Sequence, residues 1–186
     1  MTLEDLRVVE MSGAEPVFDD VMIEFLRNSR EEFVLRCQRG GLIEYGDLGT
    51  HVPWLWRLTF HTRGLARTEA GEVQTFDRHL VALRFLPDYL RQVNQFQTLA
   101  LLEPRNAFHP NLREGAICLH LYPGMPLLEI AESLHALFSW RLRQLAENDA
   151  LNRDACAWGR VHLDELPIDT RPLFGRPMVI QLEEIA

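Results

Sequence analysis

The sequence contains no lysine, and all 19 of its basic residues are arginines. A guanidinium keeps the positive charge of lysine but stays protonated, so it is a poor nucleophile. The chain therefore carries no nucleophilic side-chain amine. A genome rich in G and C, which favours arginine codons, is one explanation of this bias.

Cysteine is also scarce, and its distribution excludes two kinds of small domain. The chain has three cysteines, at Cys37, Cys118 and Cys156. Their odd number and their wide separation in the sequence argue against a disulfide framework. No pair has the spacing of a zinc knuckle, and the seven histidines are scattered. We therefore expect neither a bound metal ion nor a cofactor.

Long apolar runs and a basic surplus are absent as well. No stretch approaches the roughly 20 apolar residues of a membrane span, and the acidic N-terminus lacks the layout of a signal peptide. The net charge of −8 argues against nucleic acid as the main partner. With 186 residues, 47% of them hydrophobic, we expect one cytoplasmic globular domain with no membrane partner.

Hydrophobic periodicity predicts an α+β fold. Apolar residues recur at helical spacing over residues 17–39, and Gly40 and Gly41 end that helix. Short connections then favour an antiparallel sheet. Strands are predicted over residues 54–60, 79–86 and 96–102, with a turn over residues 63–75.

The second half of the chain is predicted to be mainly helical. An apolar stripe predicts a long helix from Leu127 to about residue 147, and a shorter helix follows over residues 150–159. Alternation over residues 178–182 predicts a further strand or extended arm. We expect residues 1–159 to form the domain and residues 160–186 an extension packed on it or appended to it.

The segment 108–119 places reactive side chains close together. It contains His109, Pro110 and Asn111, then Gly115, then Cys118 between two apolar residues. Gly115 supplies a flexible point for a reversal, which brings the asparagine back over the cysteine. A thiol with an amide donor nearby is suited to acyl-thioester chemistry, because the amide hydrogen-bonds to the oxyanion that forms at the carbonyl.

This segment resembles the active-site segment of ubiquitin-conjugating enzymes, which have His-Pro-Asn, a short loop with a glycine, and Ile-Cys-Leu. The interval from His109 to Cys118 is one residue shorter than in the family. The resemblance covers residues 17–158. It implies a UBC-like fold: an N-terminal helix, an antiparallel four-stranded meander, the active-site loop, C-terminal helices and an extended tail.

The resemblance also implies roles for five residues. Cys118 would be the thioester-forming nucleophile. Asn111 would hold the loop or stabilise the oxyanion, and Asp149, in a segment similar to the family's acidic loop, would orient and deprotonate the amine. His109 would support the loop by hydrogen bonding. His120, which replaces a common aspartate, would accept a proton or line the entrance to the thiol.

The implied function is that of a conjugating enzyme that carries a ubiquitin-like protein as a thioester and transfers it to an amine. Its partners would be a ubiquitin-like modifier, an activating enzyme and an acceptor protein. The lack of lysine fits this function, because a thioester would acylate the enzyme's own amines. The turn at residues 90–93 lacks the prolines of many relatives, which suggests a divergent, prokaryotic member.

Two other functions stay open on the sequence. A cysteine hydrolase would use Cys118 with His109 or His120 and Asp149, and it would need a histidine in contact with the thiol. A non-catalytic UBC-like binding module is the other alternative. Variant relatives of that kind lack the cysteine, so Cys118 counts against it.

Overall fold

The computed structural model describes residues 16–49, 51–146 and 148–175, and it begins with the predicted N-terminal helix. Helix α1 spans Asp20–Cys37. The carboxylate of Asp19 accepts a hydrogen bond of 2.8 Å from the backbone N of Met22 and so caps the helix. After the helix, Gly40 adopts a φ of 72°, a left-handed conformation that glycine tolerates well.

A four-stranded antiparallel sheet follows, as predicted. In chain order the strands are β1 (Ile43–Asp47), β2 (Leu55–Phe60), β3 (Gly64–Arg67), β4 (Val73–Phe76), β5 (His79–Arg84), β6 (Leu99–Glu103), β7 (Leu112–Arg113) and β8 (Ala116–Ile117). The sheet has the order β1-β2-β5-β6, and each neighbouring pair is antiparallel. The sequence patterns had assigned no residues to β1.

Residues 63–75 were predicted as a turn, but they contain most of a hairpin. Strands β3 and β4 pair with each other in a separate two-stranded sheet. Its two glycines serve different purposes. Gly64 packs so closely on His79 that an added Cβ would lie 2.7 Å from Nε2, whereas Gly71 occupies the tight turn with a φ of 86°. Both glycines lie in the range predicted as one turn.

The strand predicted over residues 96–102 begins later. Residues Gln95–Thr98 form one helical turn, α2, before β6 starts at Leu99. The side chain of Asn94 causes this difference, because its Oδ1 accepts a hydrogen bond of 3.0 Å from the backbone N of Phe96 and caps the turn.

The long helix was predicted to reach residue 147, but α3 spans only Leu127–Phe138. Its start is fixed by Ser29 of α1, whose hydroxyl accepts a hydrogen bond of 2.8 Å from the backbone N of Leu127. It ends because Trp140 adopts a φ of 58° and buries its indole. The apolar stripe continues past this point without burial, since Leu142 is 44% exposed.

Helix α4 spans Arg153–Val161 and is capped by Asn152, whose Oδ1 accepts a hydrogen bond from the backbone N of Ala155. Cys156 is fully buried in it. A turn of 3₁₀ helix follows at Leu163–Glu165. The chain then packs Leu173 and Phe174 into the core, whereas the strand predicted over residues 178–182 lies outside the described residues.

Two clusters of buried apolar side chains hold the segment that contains the candidate site. The main cluster joins the sheet to α1 and α3 and includes Ile117 and Leu119 on either side of Cys118. The second cluster consists of Leu65, Phe108, Trp140, Ala155 and Leu166. The segment 108–119 is therefore held by both clusters. Within the described ranges, no helix has the length and apolar character to cross a bilayer.

Candidate active site

Cys118 directly follows a two-stranded hairpin that turns at Glu114 and Gly115. Strands β7 and β8 pair through Leu112 with Ile117. Both turn residues have positive φ, 52° for Glu114 and 88° for Gly115. An added Cβ on Gly115 would lie 3.1 Å from the carbonyl oxygen of Leu101. The turn therefore needs glycine both for its conformation and for its close approach to β6.

Asn111 clamps the backbone around the thiol. The backbone N of Cys118 donates a hydrogen bond of 2.8 Å to the carbonyl of Asn111. In return, Nδ2 of Asn111 donates to the carbonyl of Cys118 at 3.1 Å. Its Oδ1 accepts a hydrogen bond of 3.0 Å from the backbone N of Gln144. The side-chain amide thus connects its own backbone segment to those of Cys118 and Gln144.

His109 lies beneath the loop and does not reach the thiol surface. It is 2% exposed, and its ring packs edge-on against Trp140 at 4.6 Å between centroids. Its Nδ1 accepts a hydrogen bond of 3.0 Å from the backbone N of Asn111. Burial, aided by nearby His79, lowers the pKa of His109 to about 3, so the ring is neutral at pH 7. These contacts are those of a residue that supports the loop.

Gln95, which the sequence patterns did not single out, forms a hydrogen bond with the sulfur. Its Nε2 donates a hydrogen bond to the Sγ of Cys118 at 3.8 Å. Gln95 is the first residue of α2, so the Asn94 cap that starts this turn also positions the amide. Only the tertiary fold shows this contact, because Gln95 and Cys118 are 23 residues apart.

The half-buried thiol of Cys118 opens on a groove of about 460 Å³, which we call the thiol groove. It is lined by Asn111, Cys118, Leu119, His120, Tyr122, Met125, Glu129, Ser133, Leu142, Arg143 and Gln144. His120 is exposed on this groove. Tyr122 donates a hydrogen bond to the carboxylate of Glu129, and this bond raises the pKa of Tyr122. Tyr122, Glu129 and Gln144 had not been predicted as groove residues.

Asp149 lies on the neighbouring loop but does not line the thiol groove. Its side chain is exposed, and its backbone N donates a hydrogen bond of 3.2 Å to the carbonyl of Ala146. The loop is attached to the active-site segment by a hydrogen bond of 2.9 Å from the backbone N of Asn152 to the carbonyl of Pro110. The fold therefore brings the acidic loop beside the His-Pro-Asn segment.

The other two thiols differ from Cys118 in their surroundings. Burial raises the pKa of Cys37 to about 11, which disfavours the nucleophilic thiolate. Cys156 is fully buried in α4. Over the residues that the structure describes, no three His, Cys, Asp or Glu side chains come together as a metal site.

No protein-family model matches this sequence, and no curated protein matches it. Among solved structures, the chain is similar to human ubiquitin-conjugating enzyme E2 G1, with 17% sequence identity and a TM-score of 0.44. The matched region covers 63% of this chain and 93% of that chain.

Proposed function

We propose that the chain is a conjugating-type enzyme that carries a ubiquitin-like protein as a thioester on Cys118 and transfers it to an amine acceptor. The observation that carries this proposal is the Asn111 clamp, which holds a half-buried thiol at an open groove. The motif around Cys118 supplies the resemblance, and the contacts of Asn111 with the backbone of Cys118 and Gln144 support the proposal.

In the loading step, the sulfur of Cys118 attacks the carbonyl of a modifier that is bound as a thioester to an activating enzyme. A new carbon–sulfur bond forms, and the activating enzyme's sulfur leaves as a thiolate. Gln95 donates its amide hydrogen to Sγ and so would stabilise negative charge on the sulfur before attack. The modifier's C-terminus would lie in the thiol groove.

In the transfer step, a neutral amine attacks the thioester carbonyl and the sulfur of Cys118 departs. The nitrogen loses a proton, for which Asp149 would be the acceptor, while His120 would accept a proton or line the entrance. The clamp uses one of the two Nδ2 hydrogens of Asn111 among the described residues. The other would donate to the oxyanion, and such a donor is typically worth about 10²–10³ in rate.

The test mixes the full chain with ATP and candidate pairs of activating enzyme and modifier. We expect a reductant-sensitive adduct on non-reducing gels that is absent in Cys118→Ala. Cys118→Ser should form an ester that resists reductant and yields to base. Cys37→Ala and Cys156→Ala serve as matched controls and should still load. An adduct that persists in Cys118→Ala would contradict the proposal.

A cysteine hydrolase is less well supported by the site. Such an enzyme needs a histidine on the nucleophile, whereas Gln95 is the side chain that contacts Sγ within the described residues. His109 is buried and bonded to the loop instead. A hydrolase would release the modifier rapidly without an added amine, so the lifetime of the adduct in buffer separates the two functions.

A further inference from the structure

A second groove lies beside the segment 108–118, which contributes residues to both grooves. This groove, which we call the arginine groove, has a volume of about 690 Å³. It is lined by Arg67, Thr68, Arg105, Asn106, Ala107, Phe108, Arg113, Glu114 and the segment 150–154. Phe108 and Arg113 therefore face the arginine groove, while Asn111 and Cys118 face the thiol groove.

Four arginines and two carboxylates give the arginine groove a positive surplus. Arg67 pairs with Asp154 at 3.1 Å, and the closest carboxylate to Arg113 is Glu114 at 3.5 Å. Arg105 and Arg153 are exposed, and neither forms an ion pair with a described residue. Two guanidinium groups therefore remain available on a chain whose net charge is −8.

The wall that carries these charges is fixed by backbone contacts. The backbone N of Arg67 donates to the carbonyl of Asn106 at 3.0 Å, and Nδ2 of Asn106 donates back to the carbonyl of Arg67 at 2.7 Å. The guanidinium of Arg67 lies 4.6 Å from the centre of the buried Phe108 ring. The groove is thus a built part of the fold.

We propose that the arginine groove binds an acidic segment of the acceptor protein, an inference that rests on the proposed function. The planar fork of arginine matches a carboxylate through two parallel hydrogen bonds. Nucleic acid is the poorer occupant, because it requires many phosphate contacts and two unpaired guanidiniums on an acidic chain supply few.

The wall of the arginine groove is connected to the segment that carries Cys118. Ala150 lines it, and the preceding residue is Asp149, the predicted acceptor of the amine's proton. The hydrogen bond from Asn152 to Pro110 attaches this wall to the segment that carries Cys118. Carboxylates bound at Arg105 and Arg153 would therefore direct a neighbouring lysine toward Asp149 and the thioester.

The first test measures binding to the unloaded full chain, so it does not depend on thioester formation. The probe is a fluorescein-labelled peptide that alternates glutamate and serine around one lysine, at low ionic strength. We expect Arg105→Glu with Arg153→Glu to weaken binding about tenfold, since opposite charge then faces the peptide. Arg91→Glu reverses one charge at a side chain that is 78% exposed elsewhere, so it is the control for each single variant, and it should not weaken binding.

Folding of the double variant is not threatened by its design. Arg153 is the first residue of α4, where the helix dipole favours an acidic side chain, and Arg105 is exposed. The midpoint of thermal unfolding checks this directly. The two single variants each reverse one charge, and peptide binding to them is measured in the same way. Each is expected to weaken binding less than the double variant does.

Three results would overturn the proposal: equal binding to the double variant and Arg91→Glu, equal affinity for a peptide with glutamine in place of glutamate, or tighter binding of single-stranded DNA. In loaded protein, the glutamate peptide's lysine should be modified faster than the glutamine peptide's, and the double variant should remove that preference. Absence of any thioester on Cys118 would instead refute the proposed function and leave the binding result standing.

Discussion

At the scale of single residues, amide side chains make the hydrogen bonds described at Cys118. Gln95 contacts the sulfur, and Asn111 holds the backbone on either side of it. Two carboxylates among the described residues differ in position: Glu129 lines the thiol groove and accepts a hydrogen bond from Tyr122, whereas Asp149 is exposed on the adjacent loop. This difference makes the predicted base testable.

Replacing Asp149 by alanine or asparagine should slow discharge of the thioester to free amines about 100-fold, which is the lower end of acid–base contributions. Loading should change little, because the attacking sulfur, as a thiolate, has no proton to lose in that step, whereas an attacking amine does. Single-turnover measurements separate the two steps. If Glu129→Gln slows discharge and the Asp149 variants do not, the base is Glu129.

At the scale of elements, the β7–β8 turn positions the thiol through one glycine. Gly115→Ala should lower the free energy of unfolding by about 1–3 kcal/mol, because alanine is strained at a φ of 88°. Its Cβ would also press on the carbonyl of Leu101 in β6. We therefore expect slower loading of Cys118 as well, measured alongside urea unfolding.

Gly71→Ala is the matched control for this prediction. Gly71 has a similar φ of 86°, but an added Cβ there would meet no atom within 4 Å. It should cost comparable stability and leave loading unchanged. Equal loss of loading in both variants would mean that the turn acts only through global stability.

The spacing of apolar residues predicted the helices and strands in which the apolar residues are buried. It failed where a single side chain changed the course of the backbone. Helix α1 and strands β2 and β5 lie where the apolar spacing indicated. Helix α3 stops early because Trp140 buries its indole through a positive φ, which no helical stripe reveals. The contact of Gln95 with Cys118 also escaped prediction, since it depends on how α2 packs.

At the scale of the whole molecule, His79 and His109 contribute to how stability depends on pH. Burial lowers the pKa of His79 and His109 from 6.5 to about 3. The unfolded chain therefore binds more protons between these values, and stability present above pH 6.5 is lost as the pH falls. Each histidine should contribute up to about 1.4 kcal/mol per pH unit, measured by urea unfolding between pH 7 and pH 4.

The variant His79→Phe tests whether His79 contributes to this pH dependence. The quantity compared is the slope of the unfolding free energy against pH, not the unfolding free energy itself. Phenylalanine can keep the stacking on Phe138, whose ring lies 4.3 Å away between centroids. The variant should show a shallower fall in unfolding free energy with decreasing pH, by about one proton. His51→Gln, at an exposed position, is the control. An unchanged slope in His79→Phe would contradict the prediction.

The early end of α3 has a consequence for how the site can be damaged or tuned. Because the helix ends at the turn around Trp140, the backbone N–H of Gln144 can donate its hydrogen bond to Oδ1 of Asn111. One end of the Asn111 clamp therefore depends on a turn that is far from Asn111 in the sequence. A substitution at that turn would weaken the hydrogen bond between Gln144 and Asn111, although every residue of the His-Pro-Asn motif would be unchanged.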